Sequence, residues 1–233
     1  MTPTLIIGEH KPNMPVSSAI LKEQIQASLG ERCEAGFSRK KLREETLPSA
    51  VGEIPRGTLT EITGPASSGR TSLLYSLLAG ASSRQEFCAL LDANDTFDPA
   101  NAAAAGVRLS QVLWVRCGGN VEHAIRAADL LVQGGGFGVV AIDLGNTPLK
   151  TVQRVPLASW FRLRHAVENT RIALIVMAQA HHTQSCAGLR VEFGSGRALW
   201  RGELPGGILN GLCATAQCVR NHHAQDRAFE IAR

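Results

Sequence analysis

The chain has 233 residues, 44% hydrophobic and 19% charged, with a net charge of +4, enough for one domain with its own core and a modest appendage. The first apolar run, Leu5 to Ile7, is too short for a signal peptide or a membrane span, and IALIVMA (172–178) has the length of a strand. No membrane association is expected, and the chain reads as a cytoplasmic protein. Six cysteines (33, 88, 117, 186, 213 and 218) include no C-x-x-C pair. The grouping of His181, His182 and Cys186 with Cys213 and Cys218 fits no zinc spacing, so buried free thiols are expected.

In chain order, residues 1–14 read as extended or disordered. A helix is predicted from Ser17 or Ser18 to about Leu29, with Ile20, Leu21, Ile25 and Leu29 at helical spacing and Gly30 as its stop. The polar run SRKKLREE (38–45) then separates this helix from the rest, which sets an N-terminal appendage at 1–47 and a core at 48–233. Four apolar side chains on one short helix need a partner surface. Either a neighbouring molecule or the chain's own core supplies it.

Within the core, strand and helix alternate. LTEIT (59–63) runs into GPASSGRTS (64–72), and a helix follows with Leu73, Leu74, Leu77 and Leu78 on one face. FCALLDA (87–93), VLWVRC (112–117), GVVAID (138–143) and RIALIVMAQ (171–179) read as further strands. Helices are predicted at 99–105, over NVEHAIRAADLLVQGG, and at about 157–168. The remaining pieces, GLRVEF, RALWR, LCATAQCVRN and AFEIAR, read as short strands. The pattern predicts an α/β fold: a mostly parallel central sheet flanked by helices, with antiparallel strands at the C-terminal end and an N-terminal helical appendage.

The stretch 64–72 nearly matches G-x-x-x-x-G-K-[ST], with Arg70 in the lysine position. Lying between a strand and a helix, Gly64, Pro65, Ala66, Ser67, Ser68, Gly69, Arg70, Thr71 and Ser72 can wrap backbone N–H groups around phosphate. Thr71 supplies a hydroxyl for Mg²⁺, and Asp143, the acid ending an apolar strand, is its expected partner. On its own, Asp143 would be an ordinary strand-end acid.

IPRGTLTEITGPASSGRTSLL, CALLDANDTFDPANAAAAGV and VVAIDLGNTP together resemble the nucleotide-binding core of the bacterial RecA recombinases, over roughly residues 48–230. The resemblance implies a RecA-like P-loop core, ATP and Mg²⁺ as cofactors, and a catalytic glutamate at the place held by Asn94. It places the adenine-stacking aromatic at Asn101, makes Gln179 the γ-phosphate sensor, and puts Arg220 and His222 where two lysines reach a neighbour's nucleotide. Arg70 keeps the charge of the P-loop lysine but not its compact shape. Asn94 cannot accept a proton, which removes general-base help worth roughly 10²–10⁴-fold. Asp95 is a neighbouring carboxylate, expected to point elsewhere. The mobile DNA-contacting loop of the recombinases is reduced here to AHHTQSCAG.

Charge is unevenly spread. From 150 to 201, eight basic residues face two acids, so this segment carries +6 and the remainder −2. Lys150, Arg154, Arg162, Arg164, Arg190 and Arg197 are candidates for non-specific DNA or partner contact, against the plainer reading of a solvated face. The losses together resemble the ImuA-type proteins, short RecA relatives that accompany error-prone polymerases. This implies an accessory role in SOS mutagenesis and translesion synthesis, with recombinase RecA, a Y-family polymerase or DNA as partner and weak or absent ATP hydrolysis. Two alternatives stand beside it: a DNA-dependent ATPase acting in homologous recombination, and a P-loop kinase of small metabolites, which would want the missing lysine.

Overall fold

A computed structural model of the chain describes residues 4–6, 46–202, 206–220 and 223–232. The predicted helix at 17–29 lies outside them, as does His222. Among the described residues ten strands form one sheet in the order β1-β6-β5-β7-β8-β4-β9-β11-β10, with β12 paired to β11. These are β1 (Thr4–Ile6), β4 (Thr58–Thr63), β5 (Phe87–Asp92), β6 (Val112–Arg116), β7 (Phe137–Asp143), β8 (Ala173–Met177), β9 (Leu189–Phe193), β10 (Arg197–Arg201), β11 (Ile208–Arg220) and β12 (His223–Ala232). Pairing is parallel from β1 to β9 and antiparallel wherever β11 takes part. This is the α/β sheet that the strand–helix alternation predicts, with its antiparallel end in the expected place.

The helices cover both faces. On one face α1 (Arg70–Ser83) and α2 (Pro99–Ala104) are joined by a small hairpin of β2 (Thr46–Ser49) and β3 (Gly52–Pro55). Leu73, Leu74, Leu77 and Leu78 are all buried there, as their spacing predicts, together with Leu47, Val51 and Ile54 of the hairpin. On the other face α3 (Val121–Gly134), the single turn α4 (Leu149–Val152) and α5 (Leu157–Val167) pack Ile125, Leu131, Trp160 and Leu163 against the sheet. Side-chain caps explain two of the helix starts. Asp98 accepts from Ala100 N and Asn101 N with Pro99 at the first turn of α2, and Asn120 accepts from His123 N at α3. Among the described residues no helix is long and apolar enough to cross a membrane.

Three local features depart from the sequence expectation. The β2–β3 hairpin falls where the appendage was expected to meet the core, and its strands are four residues long with a proline in each, too short for a period to show. β11 begins at Ile208 rather than Leu212 because Asn210-Gly211, which reads as a turn, is absorbed by a register shift opposite Leu199/Trp200. β4 looks half-exposed from its alternation, yet Leu59 to Thr63 are all buried, because β4 lies between β8 and β9 with both faces covered.

Candidate phosphate-binding site

The loops that follow β4, β5, β7 and β8 meet at the carboxyl ends of the parallel strands, the edge where such sheets hold ligands. The 64–69 loop bends sharply there. Gly64, Ser67 and Gly69 have φ of 147°, 59° and 100°, conformations that aim successive N–H groups to one side. A side chain at Gly64 would collide with Phe193, whose Cβ would lie 2.7 Å away, so strand β9 presses directly on the loop. Gly69 offers no capping side chain to α1, and the first turn (Arg70, Thr71, Ser72) carries no acid. Its leading N–H groups are therefore left for an anion. Ser68 Oγ is buried with no hydrogen-bond partner among the described residues, and Thr71 is exposed at the helix start. This donor set fits a phosphate.

Arg70 turns inward. It is 7% exposed, and its Nη1 donates to Ala178 O at 2.6 Å. Burial lowers its pKa, an effect that the nearby Asp143 charge opposes. Asp143 is 8% exposed and accepts from Gly145 N at 2.8 Å. Burial raises its pKa to about 6, with the Gly145 N–H lowering it, Asp92 raising it and Arg70 lowering it. Arg70, Thr71, Tyr75, Phe97, Asp143 and Asn146 line a cavity of about 120 Å³, small beside the ~300–1,000 Å³ of ordinary ligand clefts. A phosphoryl end fits there; a whole nucleotide would lie mostly outside.

Asn94 occupies the turn after β5, and its amide oxygen accepts from Thr147 Oγ1 at 2.5 Å. The turn is held by Asp92, buried at the end of β5, which accepts from Asn94 N, Thr96 N, Phe97 N and Trp114 Nε1. Asp95, with φ +58°, pairs with Arg116 at 3.0 Å on the outside, and so points away from Asn94's partner. Asn101 is drawn into the α2 cap, its Nδ2 donating to Asp98 Oδ2 at 2.6 Å. Gln179 is exposed, one residue beyond the carbonyl that anchors Arg70.

The basic candidates separate into distinct places. Arg154 and Arg162 line a cavity of about 850 Å³ with Gly119, Asn120 and Arg126 at the start of α3, and Arg162 pairs with Asp129 at 3.2 Å. Arg164 and Arg190 line another, of about 670 Å³, at the opposite end of β4. Arg164 pairs there with Glu168 at 3.3 Å and donates to Ser185 O, and Arg190 donates to Gln184 O. Two positions apart on a helix means nearly opposite directions, so Arg162 and Arg164 do not form one patch. Among the described residues Lys150, Arg154 and Arg197 are exposed without an ion pair. Arg220 ends β11 opposite His223.

One cluster escaped the sequence reading. Glu61, buried in β4, accepts from His182 N at 2.7 Å and Thr183 N at 2.9 Å, and lies 3.0 Å from His181 Nδ1. His181 Nε2 in turn lies 3.2 Å from Glu192. The short crossover after β8 is thus pinned to the strand that feeds the phosphate loop. The only signal was an acid in a strand, which reads as exposed until β4 is known to be central.

Comparison with known proteins supplies the deciding observation: residues 42–150 match the family model for the RecA N-terminal domain. Over those residues the chain is RecA-like. That match spans the phosphate loop, the Asn94 turn and Asp143. Curated relatives include Protein RecA of Deinococcus radiodurans, 41% identical over 97 residues, covering 42% of this chain and 26% of that protein. Protein RecA of Borrelia hermsii is 33% identical over 118 residues (51% of this chain, 32% of that protein). Protein RecA of Chloroflexus aurantiacus is 32% identical over 123 residues (49% and 35%). The aligned part of the chain therefore spans about a quarter to a third of the length of these RecA proteins.

Proposed function

We propose that this RecA-like chain serves DNA recombination or repair as an accessory protein, binding nucleotide weakly and turning it over slowly or not at all. The observation that carries this is the Asn94–Thr147 hydrogen bond. Where the resemblance to recombinases asks for a carboxylate that takes a proton from water, the chain presents an amide whose oxygen is already engaged. Residues 64–72 would hold the phosphates of ATP, and Thr71 and Asp143 stand where the resemblance to recombinases puts the residues toward Mg²⁺. Gln179 stands where a ligand could be sensed. Arg220 and His222 are the candidates for reaching a neighbouring subunit. Lys150, Arg154, Arg162, Arg164, Arg190 and Arg197 are the candidates for DNA or partner contact.

The finer reading is an ImuA-type role in SOS mutagenesis and translesion synthesis in the cytoplasm, with recombinase RecA or a Y-family polymerase as partner. The second reading, a DNA-dependent ATPase of homologous recombination, is favoured by one feature, the phosphate loop with its uncapped helix start. Phosphate release from ATP, measured with and without single-stranded DNA, separates the two. Turnover near one per second in the presence of DNA would overturn the accessory reading. A pull-down from DNA-damaged cells, probed for RecA and the polymerase, tests the partner.

A further inference from the structure

The cavity beside Asp143 is already lined by a cation. Arg70 is the residue that opens α1, and its side chain runs beneath the loop instead of out toward solvent. Its Nη1 is fixed at 2.6 Å on Ala178 O, the carbonyl that follows β8. A Cβ placed on Gly145 would meet Asp143 Oδ1 at 3.0 Å and Arg70 Nη1 at 3.6 Å, so the acid and the guanidinium border the same small space, the cavity that both line. The guanidinium remains protonated under ordinary conditions and presents several donors in a rigid plane. Magnesium, by contrast, needs near-octahedral oxygen ligands at about 2.0–2.1 Å, most of them water. Placing that hydrated ion next to Asp143 would set a double positive charge against a cation that is hydrogen-bonded in place. The phosphate-facing donors fit their ligand; the magnesium position does not.

We propose that Arg70 takes the place of the divalent cation beside Asp143, so that the loop binds the phosphate chain of a nucleoside diphosphate or triphosphate without metal. This rests on the reading of residues 64–72 as a phosphate loop. It departs from that reading in the metal, and assigns to one arginine two tasks: bridging to the end of β8 and balancing the acid of β7. Restoring lysine shortens the side chain and gives up the planar fork, which frees Asp143 for a metal.

Binding of a fluorescent N-methylanthraniloyl ADP, followed by emission in EDTA and again in magnesium chloride, tests this on the full chain. The unaltered protein is expected to bind about equally in the two buffers. Arg70→Lys is expected to bind roughly tenfold more tightly with magnesium than without. Arg70→Gln, which keeps a donor but loses the charge, is expected to weaken binding in EDTA and to recover in magnesium. Unaltered protein that binds only when magnesium is present overturns the proposal while leaving the phosphate loop standing. No binding by any of the three proteins in either buffer overturns both.

Discussion

Thr147 donates its hydroxyl to the Asn94 amide oxygen across 2.5 Å, tying the turn after β5 to the loop after β7. A glutamate at 94 would place a carboxylate within reach of the same hydroxyl, adding a base to the chain's side of the site. Asn94→Glu alone still leaves Arg70 bound to Ala178 O, and Arg70→Lys alone leaves no base. The double variant is expected to hydrolyse ATP faster than either single variant by more than their separate effects predict, because base and charge act on one transition state. The base itself is worth roughly 10²–10⁴-fold. Steady-state phosphate release on the four proteins measures the coupling, and strict additivity would contradict it.

Asp143 makes stability depend on pH in a definite direction. Its folded pKa of about 6 lies above the reference value of 3.8, chiefly because of burial. Between those values the folded state holds a proton that the unfolded state has released. Stability is therefore fully present below about pH 4 and lost as pH rises through about 6, by a total on the order of 2–3 kcal/mol. Asp143→Asn keeps the oxygen that accepts from Gly145 N but removes the titration. In EDTA at pH 7 this variant is expected to melt several degrees above the unaltered protein, with the difference vanishing near pH 4. A difference that stays constant across that range would assign the effect to something other than this carboxyl.

Much of this architecture is legible in the sequence, because the strands are apolar runs bounded by glycine, proline or a capping residue. FCALLDA, VLWVRC and GVVAID declare themselves, and Asp98-Pro99 marks a helix start that the structure confirms by its cap. RALWR (197–201) matches β10 to the residue. The long-range relationships are not legible. Nothing local says that Arg70 turns inward, since arginine at a helix start normally faces water. Glu61 is invisible for the same reason: its partners are 120 or more residues away. The basic segment reads as one stripe, yet helix geometry sends Arg162 and Arg164 to separate cavities. Burial and direction come from the sheet order, which a linear period does not encode.

That separation gives an ordered expectation for DNA. Arg154 is exposed and unpaired among the described residues, in the same cavity as Arg126 and Arg162. Arg164 is already engaged by Glu168 and Ser185 O. If the chain binds DNA through its phosphates, Arg154→Glu should weaken binding severalfold and lower the salt slope, while Arg164→Glu should do little. Fluorescence anisotropy of a labelled oligonucleotide over a salt series measures both. An equal loss from the two variants would mean that the segment's overall charge, not the cavity by α3, attracts the nucleic acid.

The crossover between β8 and β9 depends on Glu61 more than on its own sequence. It contains only one short 3₁₀ turn, Gln184–Cys186, so its backbone N–H groups have few local partners. Glu61 accepts two of them, from His182 and Thr183, from a position that is 0% exposed in β4. Glu61→Ala would leave both donors without an acceptor, Thr183 in full burial, at a cost of ~1–3 kcal/mol each. It would also leave His181, held by Glu61 and Glu192 from its two ring nitrogens, with Glu192 alone. The expected result is a melting temperature lower by roughly 4–15 °C and faster hydrogen exchange at the Thr183 amide, while amides on the far side of the sheet, in α1, keep their relative protection. Glu61→Gln retains one oxygen for the two N–H groups and should recover most of the loss. Uniform loss of protection throughout the sheet would show that Glu61 supports the whole core, whereas a loss confined to 180–188 would show that it holds the segment joining Gln179 to β9.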